Sequence, residues 1–522
     1  MNKSNELIKA SSGLSVAELF ESQVSKNSTS RAVIDVDGKV YNYKEFLERV
    51  LKLSSLLLSY GIQPHDRIAI ISENRSEYLE LQMACAKIGA IVAAINWRLT
   101  VQEMQYCIDL VEPKLVLFTD RFKTKYESIK LKDIYTIKLG NVYENNLSRY
   151  NPYRGESLGR GEDPLVILYT SGTTGYPKGA IISHRAFIAR AMYCVIEYGI
   201  NSEDTFPAWA PMFHMASTDL AIGSLIIGGS VAFVDGFKPK SIIDLIKKYK
   251  TSWLVLMPGM IDNFIKDLLK KPVEPVEIKI MGAMADLIPK TQISQITSLL
   301  STPYLNSFGS TETGLPPASA GLIPIKSINY SLSKFQSSFC EIKFVDDNDI
   351  EVEMGLSGEC LFKGPTLFSG YWNATKINNK EFKGGWFHMG DVMRRNINGT
   401  IDFIDRKKYL IKSGGENIYP AEIERILLAH KKVLEAIVVK VKSLRWGESP
   451  VALVSITDQK KFKIVKKELL DNINDKLAGY KRPYAILNID KDDIPRSTTG
   501  KVQRHLVEEM VEDIIKKEYK EP

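Results

Sequence analysis

Residues 169–179 read YTSGTTGYPKG. The stretch sets the hydroxyls of Thr170, Ser171, Thr173 and Thr174 among Gly172, Gly175 and Gly179, and adds Lys178. Glycines let backbone N–H groups come close to an anion. The hydroxyls add donors, and the lysine adds a point charge. The chemistry on offer is phosphate binding. A Walker loop would need GxxxxGK followed by Ser or Thr. Here Lys178 is preceded by Pro177 and followed by Gly179, so that reading fails at the residue level. Five such residues alone could be a polar turn. All eleven, between the apolar run PLVILYT (164–170) and a helix expected over 184–198, read as a phosphate cradle.

Four further stretches follow in order: FGSTE (308–312), WFHMGD (386–391), DRKKYLIKSGGENIYP (405–420) and PRSTTGK (495–501). With the loop, they resemble the signature motifs of the adenylate-forming enzymes, which include acyl- and aryl-CoA synthetases, peptide-synthetase adenylation domains and beetle luciferases. The resemblance spans residues 169–501, and the N-terminal third has a compatible α/β rhythm.

The resemblance implies a two-step reaction. A carboxylate attacks the α-phosphorus of ATP and expels pyrophosphate; a thiol then attacks the acyl-adenylate and expels AMP. The first step needs phosphate positioning, Mg²⁺ and aimed cations. It needs no general base, because a carboxylate is already ionised near neutral pH. On this resemblance Glu312, with Thr174, holds Mg²⁺, and Thr311 bonds the α-phosphate. Phe308 and Gly309, with Gly282 and Ala283 of the MGAM segment (281–284), form the adenine site. Asp391 takes the ribose hydroxyls, Arg406 the ribose or phosphate, and Lys501 the carboxylate and α-phosphate during adenylation. Lys408 falls on the interdomain hinge. Gly414 and Gly415 line a pantetheine tunnel for coenzyme A, with Trp446 on the same C-terminal face. Two positions depart from the common family pattern, Asp405 before the hinge arginine and Tyr409 after the hinge residue.

Residues 211–217 (PMFHMAS) match the acyl-pocket entrance. Amino-acid-activating relatives carry Asp after the Phe; here His214 stands there, so no carboxylate is offered to a substrate ammonium. His214, Met215, Thr218, Met284, Phe308 and Leu315 give mostly apolar pocket walls. A fatty or aromatic acid fits, and the SGGENIYPAEIE stretch is similar to that of CoA ligases. A ligase loading a carrier protein would share the first half-reaction, and a nucleotide-binding scaffold would share the fold.

These residues must be held by elements the sequence also announces. Strands are expected at 67–71, 91–95, 164–170 and 253–258, alternating with helices at 44–60, 76–88, 184–198 and 239–250. That alternation implies parallel sheets covered on both faces. The apolar stretch 220–236 reads as a buried helix followed by a strand. Shorter strands from about 340 suggest a small β subdomain, and helices at 420–430 and 461–477 flank a strand at 436–441. The expected class is α/β: a large N-terminal domain of parallel-rich sheets (1–407) with the β subdomain, and a smaller mobile α+β C-terminal domain (408–522). The 522 residues are too many for one core. The net charge of +7 comes from 69 basic and 62 acidic residues scattered along the chain, which argues against a nucleic-acid partner. Five cysteines without a CxxC pair, and no transmembrane run or signal segment, lead to the expectation of a cytoplasmic protein. Its partners are then a small carboxylic acid, ATP and CoA, with a homodimer left open.

Overall fold

The computed structural model describes residues 11, 13–131, 134–171, 177–257, 260–413, 416–496 and 502–518. The chain forms two compact units, one from Met1–Glu341 with Phe362–Trp386, the other from Ile342–Leu361 with Phe387–Pro522.

Among the described residues, the larger unit holds two main sheets. A six-stranded sheet runs in the order Tyr135–Lys138, Leu115–Phe118, Arg67–Ile71, Ile91–Ala94, Pro164–Ser171, Pro177–Ser183. All neighbours are parallel except the last pair. An eight-stranded sheet centres on the parallel strands Ile278–Met281, Thr251–Leu254, Thr205–Ala208, Ser230–Phe233 and Arg31–Ile34. Two helices that are buried nearly all round join them. Ser76–Ile88 packs on the first sheet, Met215–Ile227 on the second, and the two helices touch.

Local signals fix the starts of two helices. Asn42 with Glu45, and Thr100 with Glu103, close reciprocal capping boxes at Tyr43–Ser59 and Val101–Val111. The expected strand 253–258 forms over Thr251–Leu254, and the buried helix begins at Met215, where His214 supplies the cap. The larger difference follows the glycine-rich loop. A strand, Pro177–Ser183, stands between the loop and the helix His184–Tyr198. The strands on either side of the loop pair antiparallel, so Pro164–Ser171 is followed by a second strand before the helix.

The smaller unit holds most of a sheet ordered Glu341–Val345, Ser357–Lys363, Phe387–Arg395, Ile401–Arg406, whose first two strands run across the unit boundaries at 341/342 and 361/362. It also contains a five-stranded sheet centred on Val433–Ser443 and Gly447–Ile456. Alternate residues of these two long strands serve separate cores. Ala436, Val438, Ala452 and Val454 pack with residues of the helices Pro420–Leu428 and Phe462–Lys476. Ile437, Val439, Val451 and Leu453 pack with residues of Arg504–Glu518. Both faces being buried explains the unbroken apolar runs. Among the described residues no helix is long and apolar enough to cross a membrane.

Candidate functional site

In the larger unit the hairpin register sets Thr170 opposite Lys178 and Ser171 opposite Pro177. The loop residues Gly172, Thr173, Thr174 and Gly175 lie outside the described residues. The Thr170 Oγ1 is buried with no hydrogen-bond partner among the described residues. Lys178 pairs with Glu381 at 3.1 Å, and its ammonium lies 3.9 Å from the centroid of the Tyr371 ring. Segment 369–372 is laced to the outer strand of the hairpin: Ile181 N donates to Gly370 O, and Trp372 N to Gly179 O.

Glu312 sits in a tight hairpin between Gly309–Ser310 and Gly314–Pro317. Only glycine suits position 309, because a Cβ there would lie 2.0 Å from Gly314 O. Arg190 holds the turn from beneath. Its guanidinium donates to Thr311 O at 2.9 Å, Glu312 O at 3.3 Å and Thr366 O at 3.0 Å, and pairs with Asp219 at 2.9 Å. Arg190 and Asp219 are both buried, and the desolvation cost of that pair is offset by the carbonyls Arg190 collects. Phe368 N adds a bond to Glu312 O at 2.7 Å, and the Tyr371 hydroxyl donates to Glu312 Oε1 at 2.8 Å. Burial, with the Glu312 and Glu381 carboxylates nearby, pushes the Tyr371 phenol well above its ordinary value, so it acts as the donor.

The segment expected to carry adenine is clamped from three sides. Gly282 has φ +88°, and a Cβ there would lie 2.1 Å from Tyr304 Cζ. Trp253 Nε1 donates to Gly282 O at 2.8 Å, and the Tyr304 hydroxyl donates to Ala283 O at 3.0 Å. The buried Lys334 ammonium bonds Asp286 and Asn306, each at 2.6 Å, tying this segment to the one that leads into Phe308. Phe308 itself is buried, its backbone paired with Ala318.

His214 caps Met215–Ile227, its Nδ1 accepting from Ala216 N at 3.2 Å. That bond places the proton of the neutral ring on Nε2. Met215 and Leu315 are partly exposed and Met284 is exposed. Thr218 is not an open pocket wall: it is fully buried, and its hydroxyl bonds Met212 O and Gln82.

In the smaller unit Asp391 and Arg406 face each other across neighbouring strands, and Arg406 Nε meets the fully buried Asp391 at 2.7 Å. Asp405 is buried as well. Its Oδ1 accepts from Arg406 N at 2.7 Å and its Oδ2 from Ala421 N at 2.8 Å, at the start of Pro420–Leu428. The Lys408 ammonium is 4.9 Å from the Tyr409 ring, which also faces Arg504 at 4.8 Å. Trp446 stands exposed at a strand turn under the Arg445 guanidinium. Gly414, Gly415 and Lys501 lie outside the described residues. A bridge between Arg496 and Val502 joins the two ends of the Lys501 segment.

Sequence reasoning missed Tyr371, Glu381, the Arg190–Asp219 pair and Lys334. None carries a local pattern, since each acts through a partner tens of residues or more away along the chain.

The AMP-binding enzyme family pattern matches residues 20–372, and the AMP-binding enzyme C-terminal domain matches 422–501. The chain belongs to the AMP-binding enzyme family. Relatives of this AMP-binding enzyme include a 2-succinylbenzoate–CoA ligase of Bacillus cereus, 28% identical over 492 residues, covering 93% of this chain and 96% of the relative. An indoleacetate–CoA ligase of Aromatoleum aromaticum is 28% identical over 485 residues, covering 90% and 93%. Among solved structures, ATP-bound MatB from Rhodopseudomonas palustris is similar at a TM-score of 0.83 and 26% identity, over 96% of this AMP-binding enzyme and all of that chain.

Proposed function

We propose that this chain is an AMP-forming ligase that joins a carboxylic acid, fatty or aryl, to coenzyme A through an acyl-adenylate. The observation that carries the reading lies within the larger unit. The cation of Lys178 and the carboxylate of Glu312, more than a hundred residues apart, are held by one phenol, Tyr371. A cation, a buried hydroxyl at Thr170 without a partner among the described residues, and a carboxylate are the groups a Mg²⁺-bound triphosphate needs. Mg²⁺ retains waters and takes one or two carboxylates besides the phosphates, so Glu312 as a single carboxylate ligand fits the ion, with Thr174 as the proposed second ligand. Bound Mg²⁺ would neutralise charge on the phosphate oxygens.

In the first step a carboxylate oxygen of the acid bonds to the α-phosphorus, and the bond to the bridging oxygen breaks to release pyrophosphate. In the second, the CoA sulfur bonds to the acyl carbon, AMP leaves, and the thiol proton passes to solvent. Thr170, Ser171, Gly172, Thr173, Gly175 and Lys178 hold phosphate, and Thr311 bonds the α-phosphate. Gly282, Ala283, Phe308 and Gly309 form the adenine site. Asp391 and Arg406 take the ribose, and His214 stands beside the acid's carboxylate. Lys501 stabilises the charge that builds on attack. The functional division falls between 407 and 408 with Lys408 as pivot, and Gly414, Gly415 and Trp446 serve CoA. The cytoplasm is the proposed compartment; all five cysteines are free thiols.

The test is pyrophosphate release across fatty, benzoic, phenylacetic and amino acids, with and without CoA. CoA-dependent turnover on one acid class is expected. Turnover only with a phosphopantetheinyl protein would move the acceptor. Lys501→Ala is expected to lower adenylate formation well beyond tenfold, about 1.4 kcal/mol of barrier. A smaller loss removes Lys501 from its role.

A further inference from the structure

Tyr371 touches both charged groups on which the proposed ATP site rests. Its backbone is fixed twice: Tyr371 N donates to Asn378 Oδ1 at 2.8 Å, and Asn378 Nδ2 donates to Tyr371 O at 2.9 Å. A β-bridge to Ala180 ties it to the strand that carries Lys178. The ring is fixed by Phe368, edge to face at a centroid distance of 4.8 Å, and lies under the Lys178 ammonium. The residue is only 4% exposed. Its remaining polar atom, the hydroxyl, reaches Glu312 Oε1 at 2.8 Å. No hydrogen bond among the described residues engages Glu312 Oε2. The carboxylate therefore has one oxygen pinned by a rigid donor and one left to a ligand.

We propose that Tyr371 is a positioning residue for Glu312: its hydroxyl sets the carboxylate so that Oε2 meets the ATP-bound divalent cation, while its ring keeps Lys178 alongside. This rests on the proposed function above. A carboxylate held by an outer donor binds a cation without first losing side-chain freedom, which is why such donors matter to metal affinity. The ring and the hydroxyl act separately. Tyr371→Phe removes the second and keeps the first.

The experiment is calorimetric ATP binding to the full chain, without acid substrate, over a range of Mg²⁺ concentrations. The wild-type chain is expected to bind ATP more tightly as Mg²⁺ rises. Tyr371→Phe should need about tenfold more Mg²⁺ for the same gain, in line with loss of an outer-sphere partner. Its Mg²⁺-free affinity should be unchanged. Glu312→Gln should lose the Mg²⁺ gain, and adding Tyr371→Phe to it should change nothing further, because the hydroxyl acts through that carboxylate. An unchanged Mg²⁺ requirement in Tyr371→Phe overturns the positioning role alone. So does an equal shift in the Glu312→Gln background. A wild-type chain indifferent to Mg²⁺ would overturn the ATP reading and this inference with it.

Discussion

At the scale of single residues, two positions make firm demands. Gly282 combines a left-handed backbone with a Tyr304 ring where its Cβ would stand. Gly282→Ala is expected to cost about 2–4 kcal/mol, from backbone strain and overpacking together. Urea unfolding measures it, and a loss below about 1 kcal/mol would mean that Tyr304 steps aside easily. His184 is fully buried, with Nδ1 accepting from Val16 N at 3.1 Å, and burial brings its pKa from 6.5 down to about 4. Between those values the unfolded chain binds a proton that the folded ring refuses. The histidine's contribution is thus complete above about pH 6.5 and shrinks by up to about 1.4 kcal/mol per unit on acidification towards pH 4. His184→Gln should flatten that part of the stability profile; equal slopes for both proteins would assign the acid sensitivity to other groups.

At the scale of elements, buried polar clamps hold loops that apolar packing cannot reach. Arg190, on His184–Tyr198, binds three carbonyls and Asp219, and so fixes the Glu312 turn. Burial pushes the Asp219 carboxyl up, and Arg190 opposes that shift. Arg190→Met should therefore cost about 3–5 kcal/mol by leaving Asp219 unpaired. In the double variant with Asp219→Leu much of that loss should return, which differential scanning calorimetry would register; no recovery would make the carbonyl contacts the whole effect. The same clamps mark where the sequence was legible. Hydrophobic period disclosed the central strands and helices of the larger unit, and the family resemblance singled out Glu312, Asp391 and Arg406 for the roles proposed above. The strand Pro177–Ser183 stayed hidden because its residues read equally well as loop and helix entry. Arg190, Lys334 and Tyr371 stayed hidden because a contact distant along the chain leaves no periodic trace. Thr218 was misread because its hydroxyl is consumed by Met212 and Gln82.

At the scale of the whole molecule, the smaller unit carries two apolar cores on opposite faces of one sheet. A fragment of residues 408–518 retains that sheet and its covering helices. It is expected to fold alone, giving dispersed amide NMR signals and a cooperative thermal transition. A fragment with collapsed amide dispersion would show that the sheet depends on residues before 408. The path of the chain has a practical side too. It crosses between the units at 341/342, 361/362 and 386/387, so the smaller unit is not one uninterrupted stretch. Anyone recombining this protein with a relative therefore cannot transplant the smaller unit by a single splice. Exchanging 387–522 alone would leave 342–361 with the old parent, so two neighbouring strands, Ser357–Lys363 and Phe387–Arg395, would come from different ancestors. Gene shuffling with one crossover at 386/387 should yield fewer soluble clones than exchange at all three junctions.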